Sequence, residues 1–282
     1  MDRIIWSRSV ADIRLAAFTS EALGPLGAAP SAGREEADGI VILCLPKSGW
    51  TYLSMLSVIK AGGAWCPIDV QWPAERRKAL IGKARAKVVI TVGEALSNQV
   101  KADTAGIDQV QVIRLDEIEW SAKEVPELVV HHKGKSDRLA YAIWTSGTTG
   151  LPKAVGIRHF SGGQAIRSLT GVIPHDPKTL KDSNGIVRYL QFSEYSFDLS
   201  IMDTFYTWSL GGTICSSDRA SHLTDLVAVA NKLRATHSLL TPAVMAMMKR
   251  EEIPSLKVLV SGGEKLSQVV ADEWSKNCCL LN

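Results

Sequence analysis

A run of hydroxyl-bearing residues and glycines, ending in a lysine, is the first part of the sequence that could do chemistry. It reads TSGTTGLPK and directly follows an apolar segment, LAYAIW. Glycines let successive backbone N–H groups turn inward around an anion. The residues expected to contact that anion are Thr145, Ser146, Gly147, Thr148, Thr149, Gly150 and Lys153. Their hydroxyls add donors and the lysine adds a mobile positive charge, so the pattern predicts a polyphosphate site.

The same pattern has two other interpretations. A Walker P-loop needs Gly directly before the lysine and Ser or Thr directly after it, but Pro152 and Ala154 occupy those positions. The ordinary P-loop is therefore excluded. A hydroxyl-rich hairpin joining LAYAIWT to AVGIRH is the other alternative, and composition alone leaves it open.

The elements that must position this loop alternate between strand and helix. In the first half, GIVILCLP, AWCPID and KVVIT read as buried strands. Between them, WTYLSMLSVIKAGG predicts a helix with Trp50, Leu53, Leu56 and Ile59 on one wide apolar face, and Gly62 can end it in the left-handed conformation. Pro73 opens a second helix, where its missing N–H costs nothing.

The second half repeats this alternation. VRYLQF, GTIC, HSLL, LKVLV and CCLL read as strands, and helices are expected through DLSIMDTFYTWSL, from 221 to 234, after Pro242 and from Glu264. Strands that are apolar throughout predict an α/β fold with sheets covered on both faces. The economical domain organisation is an arm of poor order at 1–39 and two lobes at about 40–175 and 176–282, which meet between Phe160 and Val187.

Composition narrows the function classes. The chain has 282 residues, 46% hydrophobic and 22% charged, and a formal net charge of +3. No basic block calls for nucleic acid, and no apolar run is long enough to span a bilayer or to form a signal peptide. The five cysteines show no metal-binding spacing and are expected to be reduced, buried side chains in a cytoplasmic protein.

The loop and its surroundings resemble a known family. LAYAIWTSGTTGLPKAV is similar to the phosphate-binding signature of the adenylate-forming enzymes, which include acyl-CoA synthetases, luciferases and the adenylation domains of nonribosomal peptide synthetases. FSEYSFDLSIMDTFYTWSLGGTIC and LKVLVSGGEKLS resemble the substrate-pocket helix and the next strand and turn of those adenylation domains. The resemblance covers Ile40 to Asn282 and departs from the usual pattern at Trp144 and Ala154.

The resemblance implies a large lobe with two covered, mainly parallel sheets in an αβαβα arrangement, and a two-step reaction. A carboxylate attacks the α-phosphorus of Mg-ATP, pyrophosphate leaves, and the acyl adenylate passes to a thiol. For a peptide synthetase, that thiol is the phosphopantetheine of a carrier protein. Lys153 and Thr149 are then the expected catalytic side chains of the loop, which positions and neutralises the leaving phosphates.

The substrate class depends on Asp198 in the sequence FDLS. Without the family, Asp198 reads as an N-cap of the helix that starts there. In the peptide synthetases, the matching aspartate pairs with the α-ammonium of an amino acid. By the same correspondence, Leu199, Met202, Leu239, Val260 and Gly262 line the side-chain pocket and Gly263 lies near the adenine. For Leu239 and Val260 plain core packing stays open as an alternative, and the pocket is expected to suit an apolar or aromatic side chain.

The position of the chain end gives a further expectation. In the family, the strand matching CCLLN leads into a segment whose Glu helps to hold Mg²⁺, followed by a small lobe with a catalytic Lys. We therefore expect a partial domain that lacks the small C-terminal lobe, has no Mg²⁺ ligand of its own and is inactive or weak when isolated. Two function classes follow: an amino-acid-activating ligase, or a noncatalytic remnant or scaffold with this fold. An acyl-CoA synthetase-like ligase is a third alternative.

Overall fold

The computed structural model describes residues 39–118, 137–145, 152–176, 180 and 184–282. Contacts divide the chain into two compact units, and the division falls between Gly162 and Gly163. This division lies inside the interval from Phe160 to Val187 in which the two lobes were expected to meet, although it is earlier than the approximate boundary at residue 175. Apart from Gly39, the arm expected at 1–39 lies outside the described residues.

The N-terminal unit is built on a six-stranded sheet with the order β4-β3-β1-β2-β5-β6. Its strands are β1 (Ile40–Leu43), β2 (Ala64–Pro67), β3 (Val88–Thr91), β4 (Gln111–Arg114), β5 (Leu139–Thr145) and β6 (Lys153–Arg158). Neighbouring strands are parallel except for β6, which runs antiparallel to β5 at the edge. The residues of β2 and β3 are all buried, as expected for a sheet covered on both faces.

Three helices connect these strands: α1 (Gly49–Lys60), α2 (Ala74–Ala84) and α3 (Glu94–Thr104). Leu80 and Ile81 of α2 and Val100 of α3 pack into one apolar cluster with strand residues such as Val89. The helix α3 and the strand β4 were not anticipated from the sequence. Both carry a high share of polar residues, and only the tertiary structure shows their buried side.

Helix α1 is buried on a different face from the one that its apolar residues predicted. Of the four predicted face residues only Leu53 is fully buried, while Met55, Val58 and several hydroxyl residues are also buried. Ser54 Oγ donates to the carbonyl of Trp50 at 2.7 Å, and Ser57 Oγ donates to that of Leu53 at 2.8 Å. Because the preceding turn satisfies these hydroxyls, they can be buried at little cost, and an apolar count alone misplaces the face.

The C-terminal unit holds a five-stranded sheet with the order β11-β10-β9-β7-β8. Its strands are β7 (Arg188–Leu190), β8 (Thr213–Cys215), β9 (His237–Leu240), β10 (Val258–Ser261) and β11 (Cys279–Leu281), all paired in parallel. Helix α4 (His159–Val172) contains the division between the two units, and most of its residues follow that division. The other helices of the C-terminal unit are α5 (Asp198–Ser209), α6 (Arg219–Thr224), α7 (Leu226–Lys232), α8 (Pro242–Met245) and α9 (Gln268–Trp274). The predicted α/β class with mainly parallel sheets is confirmed.

Alternate strand residues of this sheet face two separate cores. Tyr189 and Leu239 pack on one face with residues of α5. Leu190 and Leu240, their neighbours in sequence, pack on the other face with residues of α7, α8 and α9, including Trp274. The alternation arises because successive side chains of a pleated strand point to opposite faces of the sheet. One face packs against α5, and the other face packs against α7, α8 and α9.

Two predicted helices differ from the structure at their ends. The helix expected from 221 to 234 is two helices, because Asp225 leaves the helical conformation at φ −156° and caps α7 by accepting from the N–H of Ala228 at 2.8 Å. The helix expected from Glu264 starts only at Gln268. Instead, Glu264 accepts from the N–H of Ala243 at 3.2 Å and thereby caps α8. Aspartate and glutamate near helix starts thus acted as caps where an unbroken helix was expected.

No helix in the described parts of the chain is both long and apolar enough to cross a lipid bilayer.

Candidate functional site

The hydroxyl- and glycine-rich segment joins two antiparallel strands of the N-terminal unit. Strand β5 ends at Thr145, β6 begins at Lys153, and these two residues are partners in the strand register. The Thr145 hydroxyl donates to the carbonyl of Lys153 at 3.2 Å. Both side chains are exposed. The hairpin interpretation is therefore correct for the flanking strands, and it does not compete with a ligand-binding role for the loop between them.

The loop residues themselves, Ser146, Gly147, Thr148, Thr149 and Gly150, lie outside the described residues. The structure does show the edge of the N-terminal sheet at which this loop begins. Strand β5 is parallel to β2, and β2 is parallel to β1, so β5 ends at the edge where the carboxyl ends of those strands also lie. In parallel sheets, this is the edge at which ligands bind.

A lysine outside the segment contacts its end. Lys83, in the last turn of α2, donates through Nζ to the carbonyl of Pro152 at 2.5 Å. Lys153 follows Pro152 directly in the chain. Two lysines are thus linked to this end of the segment. Lys153 is its last residue, and Lys83 is hydrogen-bonded to its Pro152 carbonyl. Of these two lysines, the sequence predicts a role only for Lys153.

In the C-terminal unit, Asp198 is the first residue of α5. Phe197 is the N-cap, so the prediction that Asp198 itself could be the N-cap is wrong by one residue. Asp198 Oδ1 accepts from the N–H of Leu199 at 2.9 Å, and the side chain is exposed. An anion in the first turn is favoured by the helix dipole, and a carboxylate with one such bond can still accept from a further donor.

The four apolar residues assigned to the pocket lie together in one cluster. Leu199 and Met202 of α5 pack with Leu239 of β9 and Val260 of β10. Leu239 and Val260 are direct partners across the two parallel strands. Leu239 is only 3% exposed, while the other three are half-buried. The set therefore has a buried floor residue and three residues that reach the surface of the cluster.

The two glycines follow β10 immediately. The N–H of Gly262 donates to the carbonyl of Leu240 at 3.2 Å. A side chain at Gly262 would meet no atom within 4 Å, so this position borders open space. Gly263 has φ +88°, a conformation that other residues rarely adopt. A tight, open turn therefore follows the strand that carries Val260.

Polar aromatic groups also pack on the face of the C-terminal sheet that lies against α5. The Tyr189 ring lies 5.9 Å from the Tyr206 ring and 6.0 Å from the His237 ring, measured between centroids. Burial raises the pKa of the Tyr189 hydroxyl well above its usual value, and the neighbouring Asp203 carboxylate raises it further. Asp203 itself is fully buried on α5.

His237 is held in one tautomer by its neighbours. Its Nε2 lies 2.7 Å from the carbonyl of Pro174, which can only accept, so Nε2 carries the proton. Its Nδ1 lies 2.8 Å from the hydroxyl of Thr236, which can donate to it. Burial lowers the pKa of His237 to about 4. The ring is therefore neutral near pH 7 and serves as a polar part of the core.

The sequence reading missed Asp203, His237 and Lys83. Asp203 had a usable signal, because it lies four residues after Leu199 and so shares its face of α5, where an acidic residue is unusual. His237 and Lys83 had none, since a histidine in a strand and a lysine late in a helix are common.

Among the described residues, no three His, Cys, Asp or Glu side chains are grouped so that they could hold a metal ion.

Comparison with known proteins shows the family to which the chain belongs. Residues 31–282 match the AMP-binding enzyme family. The ferrichrome siderophore peptide synthetase of Mycosarcoma maydis is 53% identical over 264 residues, which are 91% of this chain and 6% of the synthetase. The nonribosomal peptide synthetase sidC of Aspergillus fumigatus is 44% identical over 243 residues, 86% of this chain and 5% of that protein.

A solved structure shares the fold. The nonribosomal peptide synthetase FmoA3, in a form bound to α-methyl-L-serine-AMP, superposes with a TM-score of 0.73 at 20% identity and covers 96% of this chain and 28% of its own. This chain spans only about 5–6% of the length of the two curated relatives. The chain belongs to the AMP-binding enzyme family, and the relatives it matches are nonribosomal peptide synthetases, as the resemblance of its loop and helix motifs indicated.

Proposed function

We propose that this chain provides the ATP- and amino-acid-binding part of an adenylation activity in nonribosomal peptide synthesis. The amino acid carboxylate attacks the α-phosphorus of ATP, the bond to the β-phosphate oxygen breaks, and aminoacyl-AMP and pyrophosphate form. The aminoacyl group then passes to the phosphopantetheine thiol of a carrier protein, which releases AMP.

The observation that carries this proposal is the grouping in the C-terminal unit. Asp198 begins the helix that also contributes Leu199 and Met202 to the cluster that contains Leu239 and Val260. A carboxylate beside an apolar cluster suits a zwitterion with an uncharged side chain, since the carboxylate attracts the α-ammonium and the cluster accepts the side chain. The identity of 53% with a siderophore peptide synthetase supports the same substrate class.

In the N-terminal unit, the exposed Lys153 side chain suits the phosphates of ATP, because it would supply positive charge to the departing pyrophosphate. The one hydroxyl proton of Thr145 is donated to the Lys153 carbonyl, so Thr145 would support the base of the loop. Mg²⁺ would arrive on the nucleotide, since this ion usually keeps several waters and binds through substrate phosphates. Its role is to neutralise the charge that develops on the leaving group.

The test is amino-acid-dependent exchange of labelled pyrophosphate into ATP by the purified full-length protein, with the proteinogenic and hydroxylated amino acids as a panel. In Asp198→Asn, we expect exchange to fall by at least about 100-fold, because breaking a desolvated charge pair costs about 3–5 kcal/mol. ATP affinity should stay within about twofold, since the substitution removes no nucleotide contact.

The matched control is Asp272→Asn, an exposed aspartate in α9 of the same unit. It should leave exchange unchanged. If Asp198→Asn retained normal exchange, Asp198 would not be the ammonium partner. If the parent protein bound ATP but exchanged no label with any amino acid, the noncatalytic alternative would replace the ligase.

A further inference from the structure

Lys83 connects helix α2 to the end of the hydroxyl- and glycine-rich segment. It lies in the last turn of α2, just before Arg85 leaves the helix at φ 49°. Its Nζ donates to the carbonyl of Pro152 at 2.5 Å, across 69 positions of the sequence. The contact therefore joins the crossover helix between β2 and β3 to the hairpin of β5 and β6.

This hydrogen bond lies at a position where the backbone has few hydrogen-bonding groups of its own. Pro152 has no N–H, so its carbonyl is the only backbone hydrogen-bonding group that it has. The next carbonyl, that of Lys153, accepts from the Thr145 hydroxyl at 3.2 Å. The two carbonyls on either side of the Lys153 α-carbon are thus each held by a side-chain donor from another element.

We propose that Lys83 is a positioning residue for Lys153 in the binding of a nucleoside triphosphate. By holding the Pro152 carbonyl, Lys83 limits the orientations of the peptide that precedes Lys153 and so directs the Lys153 ammonium toward the carboxyl edge of the sheet. This inference rests on the proposed ATP-dependent function. It adds a residue on a different element, which acts through Lys153 and makes no contact with the substrate itself.

A merely structural lysine would behave differently. A single hydrogen bond at an exposed side chain contributes little to the stability of the folded state. If that were all, Lys83→Met would shift the melting temperature slightly and would not change nucleotide affinity. A positioning role also leaves the melting temperature nearly unchanged, but it predicts weaker nucleotide binding.

The experiment is a double-mutant cycle on ATP affinity, measured by calorimetric titration of the full-length protein. We expect Lys153→Met to weaken ATP binding by about 10- to 100-fold and Lys83→Met to weaken it by about 3- to 10-fold, as for the loss of a charged contact and of its support. The double variant should bind ATP within about twofold of Lys153→Met, because Lys83 has nothing left to position.

Two further variants control for charge and for the helix. Lys83→Arg keeps a cationic donor and should restore ATP affinity to within about twofold of the parent. Lys78→Met removes an exposed lysine elsewhere on α2 and should change nothing. Amide hydrogen exchange over 153–158 supplies a readout that needs no nucleotide, and it should speed up in Lys83→Met and not in Lys78→Met.

The outcomes separate this inference from the function it rests on. If Lys153→Met bound ATP as well as the parent, the proposed phosphate role of Lys153 would fail and this inference with it. If Lys153→Met weakened binding while Lys83→Met did not, only the assignment of Lys83 would be overturned. Fully additive losses in the double variant would also overturn it, since they would mean that Lys83 acts independently of Lys153.

Discussion

His237 sits among buried rings and is neutral because it is buried. Its side chain is 0% exposed, and both ring nitrogens are engaged, with Thr236 and with the carbonyl of Pro174. Burial lowers the folded-state pKa to about 4. In the unfolded chain the pKa returns to about 6.5. Between these two values, the unfolded state binds a proton that the folded state does not.

The stability of the C-terminal unit should therefore fall as the pH is lowered from about 6.5 toward 4, and it should be fully present above pH 7. At pH 5, the expected loss from His237 alone is about 2 kcal/mol of unfolding free energy. Urea unfolding at pH 7.5 and at pH 5, followed by tryptophan fluorescence, measures this difference. In His237→Gln, which can still donate to Pro174 but does not titrate, the difference should shrink by about that amount. An equal pH dependence in both proteins would show that His237 does not carry it.

The residues of the candidate site were accessible to sequence reasoning to different degrees. Leu199, Met202, Leu239 and Val260 were assigned by family resemblance, and they do lie in one cluster, although core packing alone could produce that cluster. Their pocket role stays a prediction. Lys83 could not have been found, because a contact across 69 positions depends on the crossover geometry of α2 and leaves no trace in local spacing.

The C-terminal end of α5 is held by a very close turn. Gly211 has φ +65°, and the N–H of Gly212 donates to the carbonyl of Thr207 at 2.8 Å. A β-carbon at Gly212 would lie 2.8 Å from the carbonyl oxygen of Val187 and 2.9 Å from a Thr207 methyl group. The backbone oxygen cannot move aside without disturbing the strand β7 region. The turn thus fixes α5, which carries Asp198 and Met202, against the sheet.

We expect Gly212→Ala to destabilise the protein by about 1–3 kcal/mol, as overpacking usually does. It should also weaken amino acid binding, because α5 must shift to admit the methyl group. Thermal denaturation and titration with the preferred amino acid measure the two effects. Gly171→Ala is the control, since this exposed glycine in α4 has no atom within 4 Å of a β-carbon and no positive φ. It should be neutral or stabilise by up to about 1 kcal/mol. A stable Gly212→Ala variant with normal affinity would contradict the close-turn argument.

At the scale of elements, the sequence predicted strands better than helix ends. Short apolar runs such as HSLL and KVVIT became buried parallel strands because nothing but a covered sheet can bury both faces of such a run. Helix ends depended instead on single polar residues. The Asp225 side chain accepts from the N–H of Ala228, and the Glu264 side chain accepts from the N–H of Ala243. Tertiary packing decides whether such a residue makes this bond or continues a helix.

At the scale of the whole chain, the α/β class and the mainly parallel sheets followed from the alternation of apolar runs and amphipathic segments. The division between Gly162 and Gly163 lies inside the interval from Phe160 to Val187 that the sequence suggested for the meeting of the lobes, but its exact position was not predicted. The Gly-Gly pair is a break signal, yet helix α4 continues through it, and none of the residues of α4 is buried. The boundary follows the distribution of tertiary contacts, which the local sequence does not specify.

The five cysteines report on the folding of both units. Cys44, Cys66, Cys215 and Cys278 are buried free thiols, whereas Cys279 is exposed, which corrects the expectation that all five are buried. Burial raises the pKa of Cys44 and of Cys66 to about 12. It raises the pKa of Cys215 and of Cys278 to about 11. Since the thiolate is the reactive form, four of the thiols should be nearly inert in the folded chain.

We expect the native protein at pH 8 to show one fast thiol toward a disulfide reagent such as dithionitrobenzoate, because Cys279 alone combines exposure with freedom from the burial that suppresses the others. The buried four should react at least about 100-fold more slowly, since their thiolate fraction is that much smaller even before access is considered. Their rates should instead follow the unfolding of the unit that contains each of them, so added urea should release Cys44 and Cys66 together, and Cys215 and Cys278 together. Cys279→Ser should remove the fast phase entirely. Two or more fast thiols in the folded protein would mean that at least one of the four cysteines described as buried is accessible. Mass mapping of the labelled peptides would identify that cysteine.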